Sequence, residues 1–200
     1  MNRILVIGTN NPHKVAELEP LLLETGLPLE LRPASAYGKF DPHEGGSTLE
    51  ENALIKARAA LELSGEWAMA DDTGLFVDAL GGRPGIYAAR YAGPQCSFAD
   101  NIRKMLRELE GVPDERRGAK FSCVIALCRP ATAPLTFRGD CPGRITPDRR
   151  GASGFGYDPI FLPTGWDKTF AELSAEVKNQ ISHRALAARA CREKLAELHF

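Results

Sequence analysis

The chain has 200 residues, 44% apolar and 26% charged, with 25 basic and 26 acidic side chains for a net charge of −1. This is the profile of a soluble globular protein with enough chain to bury a core. It excludes a bilayer span and a general electrostatic pull toward a nucleic acid polymer or an anionic membrane.

The run "RILVIGTN" predicts a buried strand stopped by Gly8 and the Asn10–Asn11 pair; Ile4–Ile7 is too short for the apolar region of a secretion signal. "NPHKVAELEPLLLETG" predicts a helix with Pro12 at its first position and Gly26 at its C-terminal cap, Pro20 marking a kink or an earlier end. A strand follows at Leu29–Arg32, then the loop "YGKFDPHEGG". "STLEENALIKARAALELSG" reads as a helix opened by Ser47 and Glu50 in capping-box spacing and closed by Gly65. Leu49, Ala53, Ala57, Ala60, Leu61 and Ser64 form its small-residue face. Strands are expected at Trp67–Ala70 and Leu75–Asp78, so that Asp71 and Asp72 end a strand.

"NIRKMLRELEG" is a further helix, "GVPDERRG" a charged loop, and "AKFSCVIALCR" and "PLTFRGDC" paired strands. The Gly- and Pro-rich stretch from Cys141 to Pro159 is irregular, a feature that in compact domains tends to be functional. "SHRALAARACREKLAELHF" closes the chain as a helix capped by Ser182. Without repeats or linkers this is an α/β protein, taken as one domain over residues 1–200. Five scattered cysteines without a CxxC, and four histidines without an HExxH, argue against zinc and for reduced thiols in a cytoplasmic protein.

Four stretches carry chemistry. In "GTNNPHK" a strand passes through a polar loop into a helix N-terminus, a place that can hold phosphate, although simple capping by Thr9, Asn10 or Asn11 explains it equally. His13 and Lys14 in the first helical turn oppose the helix dipole, which is easier to explain if an anion lies nearby. His183 and Arg184 repeat that placement at the last helix, with Lys178 just upstream. In "SGFGYDPIF" Gly154 and Gly156 admit a close backbone approach, beside the rings of Phe155 and Tyr157. Glu44 and one of the two aspartates fit Mg²⁺, which is usually held by one or two carboxylates plus substrate phosphates.

Taken together, "TNNPHK", "EGGSTLEENALIKA", "ADDTGLFVDALGGRPGIYAARYAG", "FGYDPIF" and "KNQISHR" closely resemble the inosine triphosphate pyrophosphatase family, in order and over nearly the whole chain. Asn10 and His13 stand where a small residue such as glycine is common in that family. The resemblance implies a mixed α/β fold with an elongated central sheet, two lobes and a cleft between them. It also implies a homodimer that uses Mg²⁺ to cleave ITP, dITP or XTP into a nucleoside monophosphate and pyrophosphate. Carried over by position, Thr9, Asn10, Asn11, Pro12, His13 and Lys14 bind the triphosphate, and Thr73 contacts substrate. Glu44 and Asp72 hold the metal, and Asp72 is also the proton acceptor. Phe155, Gly156, Tyr157, Asp158, Lys178, His183 and Arg184 form the base pocket. Donors at Lys178, His183 and Arg184 suit the O6 acceptor of hypoxanthine or xanthine, and Asp158 suits N1–H, whereas adenine offers neither.

Overall fold

The computed structural model describes residues 3–24 and 28–199. The elements in chain order are β1 (Arg3–Ile7), α1 (Pro12–Leu23), β2 (Leu29–Pro33), α2 (Leu49–Ser64), β3 (Trp67–Val77), β4 (Pro84–Gly85) and α3 (Phe98–Glu108). They continue with β5 (Gly118–Cys128), β6 (Leu135–Ile145), β7 (Phe161–Pro163), α4 (Ala175–Ile181) and α5 (His183–Glu197). The strands form one seven-stranded sheet in the order β2-β1-β3-β5-β6-β7, with β4 paired to β3. β1 runs parallel to both β2 and β3, while β3–β4 and β6–β7 are antiparallel, so the sheet is mixed. With the five α-helices among the described residues, this is the mixed α/β architecture expected.

By residue contacts the chain divides into two compact units. The first takes the residues up to Asp72, Cys123–Gly139 and those from His183 on; the second takes Thr73–Ser122 and Asp140–Ser182. Each has its own apolar core. In the second, Leu75, Val77, Ile102, Met105, Phe121, Ile145, Phe161 and Phe170 are buried together, with Phe121 edge-on to Phe161 at 4.6 Å.

In the first unit the alternation of strand side chains sorts the core into two faces. Leu5, Ile7 and Met69 pack with Leu18 and Leu22 of α1 and Ala188, Cys191 and Leu195 of α5. Val6 and Ala68 pack on the opposite face with Phe40 and with Ala60 of α2. Continuing the count along β3 puts Asp71 on the α1/α5 face with Met69, and Asp72 on the α2 face with Ala68. This is the geometry that positions the site.

Several local readings change. β3 is one eleven-residue strand, not two, so Asp71 and Asp72 lie inside it rather than at its end. The α2 cap sits one residue later than expected: Thr48 accepts from Glu51 N–H, and the Glu51 carboxylate reaches back to Ser47 N–H and Oγ. Leu61 and Ser64 are only half-buried, whereas the polar Asn52 and Lys56 are buried on that helix. Gly65 ends it in the left-handed conformation, as expected. α3 begins earlier, at Phe98, behind a Ser97–Asp100 capping box. β6 runs to Ile145, so the irregular stretch starts at Thr146 rather than at Cys141. Pro12 opens α1 and Asn11 caps it, while Pro20 sits on its exposed side without ending it; Gly26 lies outside the described residues. α4 was not foreseen, and Ser182 joins it to α5 with extended backbone.

Candidate active site

The two basic helix starts share one buried carboxylate. Lys14, in the first turn of α1, places Nζ 3.0 Å from Asp71 Oδ2 and donates to the Asp71 carbonyl at 3.3 Å. Arg184, in the first turn of α5 and only 2% exposed, donates to Asp71 Oδ2 from Nε and Nη2, each at 3.3 Å, and pairs with Glu17 through Nη1. The anion that the misplaced cations called for is therefore supplied by the protein itself. Burial alone would raise the Asp71 carboxyl, but the charges of Lys14, Arg184 and Lys56 outweigh it and hold the group well below the usual carboxylate range. The Arg184 guanidinium is held more firmly protonated, its burial overcome by Asp71 and Glu17.

On the other face, Lys56 of α2 donates from Nζ to Asp72 Oδ1 at 2.6 Å and lies 3.6 Å from Glu44 Oε1. Burial would lower the Lys56 ammonium, but Asp72, Asp71 and Glu44 raise it above its ordinary value. Asp72 behaves unlike its neighbour. Burial raises its carboxyl, Lys56 and Lys14 pull it down, Glu44 adds to the rise, and the net result is above the ordinary value. Its second oxygen, Oδ2, is buried without a hydrogen-bond partner among the described residues.

That oxygen is the observation relevant to a divalent ion. Asp72 Oδ2 and the partly exposed Glu44 carboxylate are hard oxygen donors gathered around one ammonium, and such donors suit Mg²⁺. Among the described residues no group of three or more His, Cys, Asp or Glu is arranged to hold a metal. An ion here would thus draw its remaining ligands from water and substrate oxygens. The residues present fit Mg²⁺ on those terms.

The loop before α1 is more occupied than its sequence implies. Thr9 Oγ1 accepts from Asn11 N–H, Asn11 Oδ1 accepts from His13 N–H, and the Asn11 carbonyl accepts from Lys14 N–H. The N–H groups of Asn11, His13 and Lys14 are thus used within the loop and cap, while the Lys14 ammonium, partly exposed beside Asp71, keeps capacity for an anion. Asn10 Nδ2 donates to the Phe40 carbonyl at 2.6 Å. Pro12 and His13 are exposed.

In the second unit, Lys178 of α4 donates from Nζ to Asp158 Oδ2 at 2.6 Å, and the same oxygen accepts from Phe155 N–H at 2.9 Å. Lys178 lies 5.3 Å from the centre of the Phe155 ring and 5.5 Å from that of Phe170, a cation–π setting. The Asp158 carboxylate is what Gly154 makes room for: its φ is +74°, and a Cβ there would collide with Asp158 Oδ2. Gly156 also has positive φ, and Tyr157 is buried with its hydroxyl on the Ala88 carbonyl at 2.9 Å. Thr73 is half-buried on β3. His183 is buried at the start of α5, in the first unit.

The structure thus gathers Lys14, Glu44, Asp72 and Arg184 in one unit and Phe155, Asp158 and Lys178 in the other. Sequence reasoning missed Glu17 and Lys56, and read Asp71 only as one of two adjacent carboxylates, either of which could face a metal. Lys56 had one visible signal, a charged residue one turn after Asn52 on a face otherwise made of Leu and Ala.

The Ham1 family model matches residues 5–194. The chain belongs to the Ham1 family. It is 48% identical over 200 residues to a dITP/XTP pyrophosphatase of Methylococcus capsulatus, covering 99% of this chain and 98% of that one. It is 49% identical over 185 residues to the Yersinia pestis protein of the same name, covering 92% and 93%. A solved Ham1 protein from Coxiella burnetii superposes with a TM-score of 0.88 at 41% identity, over 98% of this chain and 99% of that one. Among the described residues no helix is long and apolar enough to cross a membrane.

Proposed function

We propose that this Ham1 protein is a nucleoside triphosphate pyrophosphatase that hydrolyses non-canonical purine nucleoside triphosphates, dITP, XTP and ITP, to the monophosphate and pyrophosphate. The observation that carries the chemistry is Asp72: a carboxylate inside a strand, fixed by Lys56 through one oxygen, open at the other, and raised in proton affinity by burial. A base is most effective when its pKa approaches the working pH, and the rise moves Asp72 in that direction. The names of the relatives supply the substrate class.

In the reaction, the oxygen of a water molecule forms a bond to the α-phosphorus and Asp72 takes the water's proton. The bond from the α-phosphorus to the bridging oxygen breaks, and pyrophosphate leaves with the electron pair. Lys14 binds phosphate oxygens, and Asp71 and Arg184 fix where that ammonium points. Lys56 holds the Asp72 carboxylate in one orientation. Glu44 and Asp72 would hold Mg²⁺, which when bound neutralises phosphate charge, the main requirement of phosphoryl chemistry. Base recognition is assigned by the family resemblance to Phe155, Gly156, Tyr157, Asp158, Lys178, His183 and Arg184. The internal pairing of Asp158 with Lys178 gives that lysine a defined direction in which to present its remaining donors to O6. Thr9, Asn10, Asn11, Pro12, His13 and Thr73 complete the proposed substrate contacts. The enzyme acts as a homodimer in the cytoplasm, on the free nucleotide pool.

The test is kcat/KM with Mg²⁺ for dITP, ITP and XTP against dATP, dGTP and modified dUTP. Unpaired buried polar groups should disfavour dATP by roughly 10⁴-fold. Preference for a pyrimidine would reassign the substrate, and nucleotide binding without pyrophosphate release would make the protein a binding module.

A further inference from the structure

Glu44 sits on a loop, and a loop carboxylate is a poor metal ligand unless something holds it. The segment between β2 and α2 is tied down on both sides of Glu44. Four residues before it, Phe40 is buried with Val6, Ala34, Ala60 and Ala68, and its carbonyl accepts from Asn10 Nδ2 at 2.6 Å. Two residues after it, Gly46 donates its N–H to Asn52 Oδ1 at 2.9 Å. Asn52 is 2% exposed, a buried amide on the apolar side of α2 one turn before Lys56. The approach is close: a Cβ on Gly46 would lie 2.6 Å from Asn52 Oδ1 and 2.8 Å from Glu51 Cβ.

From this we infer that Asn52 and Asn10 are positioning residues that pre-form the Glu44 loop, so that its carboxylate stands beside Lys56 and Asp72 before any ion arrives. A solvated loop would not require a buried side-chain amide to catch one of its N–H groups; a loop that must present a carboxylate does. Asn52 sets the loop against the helix that carries Lys56. Asn10 ties the same loop to the segment that carries Lys14, so the residues assigned to metal and to phosphate are joined by one hydrogen bond. Through Phe40, Asn10 thereby holds the Glu44 loop in addition to the substrate contact proposed above. The inference rests on the metal role of Glu44 proposed above.

The experiment compares wild type, Asn52→Leu, Asn52→Asp and Glu44→Gln by amide hydrogen exchange over residues 39–47 in Mg²⁺-free protein, and by the Mg²⁺ activation curve with dITP. Loss of the acceptor in Asn52→Leu should speed exchange at Gly46 about tenfold. It should raise the half-activating Mg²⁺ concentration by at least about tenfold, with kcat recovering to within about threefold at saturating Mg²⁺. Asn52→Asp keeps an oxygen for Gly46 N–H, and its added charge lies one helical turn from Lys56, so it should restore both readouts. Unchanged exchange in Asn52→Leu overturns the tether. Faster exchange with a wild-type Mg²⁺ curve overturns its functional role. Glu44→Gln separates the two levels, because it must weaken Mg²⁺ activation without altering Gly46 exchange; a wild-type Mg²⁺ curve for Glu44→Gln refutes the metal reading itself.

Discussion

Adjacent aspartates on one strand should respond differently to the same substitution. Asp71→Asn removes the charge that two cations share, leaving Arg184 and Lys14 in a setting with almost no water. Breaking a buried pair from one side costs roughly 3–5 kcal/mol, and asparagine keeps the shape and one acceptor, so the lower end, about 3 kcal/mol, applies. For a chain of this size that is a Tm lower by roughly 6–12 °C. The contribution has a definite pH signature. The folded Asp71 carboxyl lies below its unfolded value, so its stabilisation is complete above the unfolded pKa of about 3.9 and is lost only as pH falls through the lower, folded value. The Tm gap between wild type and Asp71→Asn should hold from pH 7 to about pH 4 and close below it. Asp72 has the opposite sign: its folded carboxyl is raised, so its ionised form opposes folding at neutral pH. Asp72→Asn should therefore lose less Tm than Asp71→Asn, because Lys56 still faces Glu44, while turnover of dITP falls by roughly 10²–10⁴-fold. Calorimetry from pH 3 to pH 8 and a pyrophosphate-release assay read both. Equal loss of Tm in the two variants would refute the division of labour between them.

Lys56→Met should lower kcat on dITP at least about a hundredfold. Because it removes the cation that holds the Asp72 carboxyl down, the acid limb of its kcat/KM profile should move to higher pH; an unmoved limb would separate Asp72 from that limb. Lys178→Met should raise KM for dITP and shrink the dITP-to-dATP ratio of kcat/KM by roughly tenfold or more, with pyrophosphate still the product; an unchanged ratio would remove Lys178 from base selection. Thr48→Ala removes the α2 cap and should cost about 1 kcal/mol, seen as a Tm lower by roughly 2–4 °C with kcat unaltered.

The elements most legible in the sequence were those whose ends carry their own chemistry. Pro12 with Asn11, Gly65, and the β-branched run of β1 needed no tertiary information. β3 was split because Asp-Asp-Thr-Gly has turn chemistry, and only Lys14, Arg184 and Lys56, brought from three different helices, make two carboxylates tolerable inside a strand. α4 escaped notice because seven residues hold too few turns to show a period. The cap of α2 slipped by one because Ser47, Thr48, Glu50 and Glu51 offer two overlapping capping patterns, and the fold chose between them. Motif resemblance found the residues assigned to substrate and metal, yet left out Asp71 and Glu17. The distances to Lys14 and Arg184 that define their part exist only in the folded chain.

The central claim is the bond that breaks, and ³¹P NMR of the products of dITP with Mg²⁺ tests it most directly. The account predicts deoxyinosine monophosphate and pyrophosphate in equal amounts, with no orthophosphate from the enzyme and no product from Asp72→Asn on the same timescale. Deoxyinosine diphosphate with orthophosphate, or full turnover by Asp72→Asn, would contradict it.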